Sequence, residues 1–502
     1  MYSNLENDAA LFKLQRAAEE KARKKDLVIT SRYKDFKATY RNDPVAFVHD
    51  AFMWADGKRP APYQDEIIDN LAKYGREAVR GCHGLGKTAL SSWLIHWFAL
   101  TRDGDSDWKA PTTASNWRQL TKFLWPEIHK WARRLRWDVI GRRPYDERIE
   151  LQTLNLKLST GESFAVASNN PGFIEGAHAD SLLYIFDESK LIPGETFDAA
   201  EGAFSGAGVG TGNEAFALSV STPGESAGRF YDIHQHKPGF KDWRTRHVKL
   251  EEAIKAGRVS QEWVNNRLEQ WGESSAIYQN RVLGEFADSD ENSLIPLSWV
   301  EKANERWYEI NGAPYEGAAV SYGIDVAREG DDKTCFVKLS GDVVEWIIYR
   351  TKNKTTETTD DFIELAGDDF ESPVAVDANG VGAGVYDQLE QKGYNVTSYN
   401  VQAPTDLTDS TGTETFNNMR SAILWAVREL LDPENPEPLA LPEDDLLTAD
   451  LTAIHWGHTV TGKIAVEPKK DIKAVLGRSP DGSDALALAV YGNTYRIISW
   501  DG

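Results

Sequence analysis

The run Gly81-Cys82-His83-Gly84-Leu85-Gly86-Lys87-Thr88 has the spacing G-x-x-x-x-G-K-[ST], which cradles nucleotide phosphates. Gly81, Gly84 and Gly86 let the backbone curl so that its N–H groups point inward at phosphate oxygens. Lys87 then reaches the β- and γ-phosphates, and the Thr88 hydroxyl is placed to ligate Mg²⁺. Glu77 to Arg80 reads as a short strand before the loop, and Ala89 to Ile95 as an apolar helix after it. The start of that helix adds partial positive charge where phosphates would sit. Gln64 lies shortly before the loop beside Tyr63, where an amide can bond both edges of adenine while a ring stacks on it. ATP is the cofactor these residues predict.

A second set of groups completes that chemistry. The apolar run Ser181 to Phe186 ends in Asp187-Glu188, as a buried parallel strand does when it delivers carboxylates to the edge of a sheet. Asp187 is expected to hold Mg²⁺, and Glu188 to orient or deprotonate the attacking water. A further strand, Ala215 to Val220, runs into Ser221-Thr222-Pro223-Gly224. Small hydroxyls at that position can sense hydrolysis at the γ-phosphate.

The third set lies in the second half. Asp325 falls near the end of the strand Ala319 to Ala327, and Asp377 at the end of Pro373 to Asp377. Asp481 and Asp484 open a late helix whose body, Ala485 to Ala489, is apolar. Strands at Lys333 to Leu339 and Val343 to Thr351, and a helix at Glu357 to Gly367, lie between the first two acids. This is the layout of an RNase H-like domain. Its chemistry needs two Mg²⁺ or Mn²⁺ ions, roughly 4 Å apart, to clamp the attacking and leaving oxygens of a phosphodiester. Hard cations take carboxylate oxygens from converging elements. Asp325 is expected to bridge the ions, Asp377 to hold one and Asp484 the other, with Asp481 as the rival for that last role.

These sets need scaffolds, and 502 residues supply two or three domains. The sequence predicts an α/β fold in two parts. The first is a P-loop ATPase domain with a mostly parallel sheet at 41–284. The second is an RNase H-like domain at 297–502, reached through a polar acidic linker at 285–296 and preceded by a helical arm at 1–40. The net charge of −22 is uneven. From Asn292 onward 17 basic and 36 acidic residues give −19, and the remaining 39 and 42 give −3. An acidic domain still acts on DNA where carboxylates hold metal ions and basic residues line a local groove. Arg133, Arg134, Arg136, Arg142 and Arg143, interleaved with Trp131 and Trp137, suit either a phosphate-tracking stripe or a solvated helix face. Cys82 and Cys335 are the only cysteines, so neither a disulfide framework nor a zinc site is expected. No apolar run reaches the ~18 residues of a membrane span.

With these residues assembled in order, the chain resembles the large terminase subunits of tailed bacteriophages. The resemblance rests on Gln64, on Gly81 to Thr88, on Asp187-Glu188 and on Ser221-Thr222-Pro223. It extends to Gly284-Glu285-Phe286 and to Asp325, Asp377 and Asp481/Asp484. It implies a motor that drives double-stranded DNA into a procapsid and a nuclease that cuts concatemeric DNA. The implied partners are a portal protein, a small terminase subunit and further copies in a pentameric ring, in the cytoplasm of an infected bacterial host. It also implies an arginine that stabilises the transition state, for which Arg80 is one candidate. The rival reading is an ATP-dependent translocase or helicase whose second domain binds DNA without cutting it.

Overall fold

A computed structural model describes residues 31–494, apart from 56–57, 169–171, 173–177, 205–212, 288–291, 328–332, 352–353 and 378–379. Most of the expected N-terminal arm (1–30) and the middle of the expected linker lie outside the described residues. Two compact units emerge. One runs up to Arg80 and continues through Gly84–Thr222 and Ala227–Arg258. The other gathers Gly81–His83, Pro223–Ser226 and the chain from Val259 onward.

The first unit is built on an eight-stranded sheet. Its strands are β1 (Arg76–Gly81), β2 (Trp108–Ala114), β3 (Leu151–Gln152), β4 (Asn155–Lys157), β5 (Gly161–Ala165), β6 (Ser181–Asp187), β7 (Glu214–Ser221) and β8 (Arg244–Val248). Their order is β3-β4-β5-β2-β6-β7-β1-β8, and the stretch β5-β2-β6-β7-β1 is parallel. All residues of β6 are buried, as a strand covered on both faces must be. Helix α1 (Pro62–Tyr74) precedes β1, and α2 (Lys87–Arg102) follows the glycine-rich loop.

The segment after Ser106 forms β2 in the sheet interior between β5 and β6. Proline lacks the N–H that an interior ladder needs. The β2–β6 register accommodates Pro111 by passing from Lys109↔Leu182 to Thr112↔Ile185. Helical backbone then runs from Trp117 to Ala132, passing through a π-helix over Gln119–Leu124 and returning to α-helix at Trp125, beside Pro126.

The second unit holds a five-stranded sheet of β9 (Val320–Asp325), β10 (Lys333–Ser340), β11 (Val343–Thr351), β12 (Val374–Asp377) and β13 (Val396–Tyr399). The order is β11-β10-β9-β12-β13. β10 is antiparallel to β9 and β11, whereas β9, β12 and β13 are parallel. This is the RNase H-like sheet. The unit also contains a hairpin of β14 (Trp456–His458) and β15 (Ile464–Val466). Four helices matter for its site: α3 (Met419–Leu431), α4 (Asp445–Thr452), α5 (Lys469–Leu476) and α6 (Asp481–Thr494). α6 lies on β9 at Gly323, where a Cβ would fall 2.0 Å from the Ala485 carbonyl oxygen and 2.5 Å from the Ala489 nitrogen. Only glycine allows backbone to meet backbone at that point.

Candidate active sites

In the first unit, β1 delivers the chain into the glycine-rich loop. Gly84 (φ +84°) and Gly86 (φ +77°) adopt the left-handed conformation that a phosphate-cradling curl requires. Gly86 caps α2, so Lys87 and Thr88 open that helix. The first turn of α1 clamps the loop: the Tyr63 hydroxyl and the Gln64 amide both donate to the Leu85 carbonyl, at 3.0 and 3.3 Å. Gln64 Oε1 accepts from the Ala61 N–H at 2.9 Å and from Arg258 at 3.3 Å. Both ends of this amide, which is 1 % exposed, are therefore engaged inside the protein. In this arrangement Gln64 braces the phosphate loop, and with Tyr63, Lys87 and Leu90 it also borders a pocket.

β6 ends on Asp187, which is fully buried. One oxygen accepts from the Gln119 amide at 3.1 Å, while the other is buried with no hydrogen-bond partner. Burial, reinforced by the charge of Glu188, pushes this carboxyl up to about 7 against the opposing pull of Gln119 and Lys87. A buried, unpartnered carboxylate oxygen near a lysine fits a hard cation such as Mg²⁺. Glu188 sits in the left-handed region (φ 44°, ψ 54°), where a non-glycine residue is held only by its surroundings. Those surroundings are the Ser221 hydroxyl and the Thr222 N–H, which donate to its Oε2 at 3.1 and 3.4 Å. Lys190 donates to the Thr222 hydroxyl at 3.0 Å. β7 separates β6 from β1, so Ser221 stands beside both the acid pair and the strand entering the loop. Arg80 is Ser221's register partner on β1.

In the second unit, β9 and β12 run parallel and end on Asp325 and Asp377, so both carboxylates reach the same sheet edge. α6 adds Asp484. These three border a cavity of about 230 Å³ together with Gln402, Arg420 and Lys469. Asp481 has one oxygen accepting from the Lys333 N–H at 2.9 Å, and its other oxygen faces Lys469. The Lys469 ammonium stands where the acids converge: 2.8 Å from Asp325, 3.0 Å from Asp484 and 3.4 Å from Asp481. Among the described residues no three acidic, histidine or cysteine side chains form a ready-made metal cage. The carboxylates share a lysine cation instead, and this oxygen set is the one hard divalent ions take. Burial pushes the Asp325 carboxyl up to about 7, with Lys469 opposing. Burial also works to raise Asp484, which is part-buried, yet Arg420 and Lys469 hold it below the ordinary carboxylate value. Burial alone would lower Lys469, but the three acids outweigh it and keep the ammonium charged.

A second layer fixes α6. Asp450 on α4 is fully buried; it accepts from the Gly482 N–H at 2.9 Å and pairs with Arg478. Lys469, Arg420 and Gln402 escaped the sequence reading because no spacing rule links them to acids far away in the chain. Most of the basic run has internal partners. Arg134 lies over the Trp131 ring, Arg136 bonds the Asp50 carbonyl, and Arg142 and Arg143 both pair with Glu150. None of the five arginines lies within a helix.

No protein-family profile matches the chain. A protein of Enterobacteria phage P7 described as "Probable terminase, large subunit" is 25 % identical over 491 residues, covering 93 % of this chain and 94 % of that one. Among solved structures, the nuclease domain of a large terminase subunit of bacterial virus Sf6 aligns at 23 % identity. It covers 39 % of this chain and 98 % of its own, with a TM-score of 0.34. A large terminase from a thermophilic bacteriophage aligns at 15 % identity over 86 % of this chain and 98 % of its own, with a TM-score of 0.38. No helix among the described residues is long and apolar enough to cross a membrane.

Proposed function

We propose, taking as premise the similarity to a phage large terminase subunit along nearly the whole chain, that this protein packages viral DNA and cuts it. In this reading it hydrolyses ATP to drive double-stranded DNA through a portal protein into a procapsid. It cleaves concatemeric DNA with its second unit and works as a ring, a pentamer when docked, guided by a small terminase subunit in the host cytoplasm. The observation that carries it is the meeting of Asp325, Asp377 and Asp484 around one cavity, in a chain that also holds the phosphate loop and the Asp187-Glu188 pair.

In the first unit the loop N–H groups and Lys87 bind the phosphates, and Thr88 and Asp187 would hold Mg²⁺. Bound there, the ion neutralises charge that develops on the phosphoryl oxygens. Glu188 positions the attacking water and draws off its proton. Its bonds from Ser221 and Thr222 change when that proton arrives, which is how hydrolysis would be sensed. In the second unit Asp325, Asp377 and Asp484 would hold Mg²⁺ or Mn²⁺. Such ions activate water and stabilise the leaving oxygen. Lys469 holds the same carboxylate oxygens and competes for them.

The test is cleavage of supercoiled plasmid by the purified chain with Mg²⁺ or Mn²⁺, alongside Asp377→Ala. Metal-dependent nicking that this substitution abolishes supports the reading. Intact plasmid under every metal condition overturns the nuclease half and leaves an ATP-dependent translocase.

A further inference from the structure

Arg420 is the second residue of α3, and its side chain is only 6 % exposed. Its Nε donates to Asp484 at 3.1 Å, and one terminal amino group donates to the Glu467 carbonyl at 2.8 Å. The other amino group is buried and has no hydrogen-bond partner. The same side chain borders the cavity walled by Asp325, Asp377 and Asp484. A buried guanidinium normally fills its donor positions, because it keeps its charge and a lost partner is costly. Here two directions are fixed by protein acceptors, which locks the plane of the group, and the third direction is unused. Lys469, the other cation of the cavity, is fully committed to carboxylates.

We infer that the unpartnered amino group of Arg420 donates to a non-bridging oxygen of the DNA phosphate being cut. Guanidinium is the side chain whose fork matches phosphate oxygens, and a fixed donor is most effective where charge builds up during reaction. In phosphodiester hydrolysis a water oxygen bonds to phosphorus, the bond to one ribose oxygen breaks, and that oxygen takes up a proton. Charge grows on the non-bridging oxygens in between. Arg420 is thus a catalytic residue contributed by α3, outside the carboxylate set and tied to it through Asp484. This inference rests on the nuclease reading above.

The experiment uses the full chain with Arg420→Ala and Arg420→Lys, each checked for an unchanged melting profile. Plasmid cleavage is followed as a function of Mn²⁺ concentration, and Mn²⁺ affinity is measured separately by electron paramagnetic resonance. A phosphate contact predicts that Arg420→Ala lowers cleavage at saturating Mn²⁺ by about 100-fold with no weakening of Mn²⁺ binding. Arg420→Lys keeps the charge without the fork and recovers about 10-fold of that loss. Cleavage restored to the wild-type rate by more Mn²⁺ would show that Arg420 only positions Asp484 and would overturn the inference, as would unchanged cleavage. If the wild-type chain cuts under no condition, the nuclease reading falls by itself, and the contact is read from duplex DNA binding by fluorescence anisotropy. Arg420→Ala then lowers the salt slope by about one phosphate contact, and an unchanged slope overturns the inference.

Discussion

Glu188 shows how much a single residue must satisfy at once. Its backbone is in the left-handed region and its carboxylate is held by a hydroxyl and an N–H from the neighbouring strand. Strain of this kind persists where the surroundings over-determine it. Replacing Glu188 with Gln keeps the shape and removes the base. ATP turnover is expected to fall by about 10²- to 10⁴-fold while nucleotide binding, followed with a fluorescent ATP analogue, is retained. The acid pair was legible in the sequence because an apolar run ending in Asp-Glu has one structural meaning after a phosphate loop. Gln64 has a bracing role the sequence did not show, because a sequence does not reveal that Ala61 and Leu85 take up both ends of its amide. Lys469 and Arg420 gave no signal, since each acquires meaning from acids on other elements, among them Asp325, 144 positions from Lys469, and Asp484, 64 positions from Arg420.

Elements were legible where periodicity and punctuation agreed. The strands leading into the phosphate loop, into Asp187, and into Asp325 and Asp377 all lie where alternation or apolar runs put them. β2 was obscured by Pro111, whose usual meaning is an edge. β13 and the hairpin of β14 and β15 were too short to stand out. α6 is held by a neighbouring element, with Asp450 of α4 bonded to its first turn. Burial pushes the Asp450 carboxyl from its ordinary 3.8 up to about 7, despite Arg478. Between those values the folded chain holds a proton that the unfolded chain has released. Stability contributed by this group is therefore present at low pH and lost as pH rises through about 7. The slope is at most about 1.4 kcal/mol per pH unit. Asp450→Asn, whose side chain carries no titrating proton, is expected to flatten the fall in melting temperature between pH 4 and 7. An unchanged slope in differential scanning calorimetry would assign that fall to other buried acids.

Across the whole chain, one sheet brings the phosphate loop and the acid pair together, and a second sheet with α6 brings three distant aspartates together. The uneven charge follows this division. The acidic excess lies in the half that carries the carboxylate cavity, and it says little about affinity for DNA. Gly323 gives the division a consequence for heredity. A single methyl group at this position cannot coexist with the Ala485 and Ala489 backbone, so α6 must shift on β9 and carry Asp484 away from Asp325. Displacements near 1 Å cost about 100-fold in rate. Gly323→Ala is expected to reduce plasmid cutting by that much while ATP turnover, measured by phosphate release, stays at the wild-type level. On the proposed function, a phage bearing this allele would fill its heads yet fail to sever the genome behind them. Pumping and cutting would thus become separable phenotypes at one codon, and a revertant screen would return glycine at 323 itself, because the clash is with backbone atoms of 485 and 489 that no side-chain change removes.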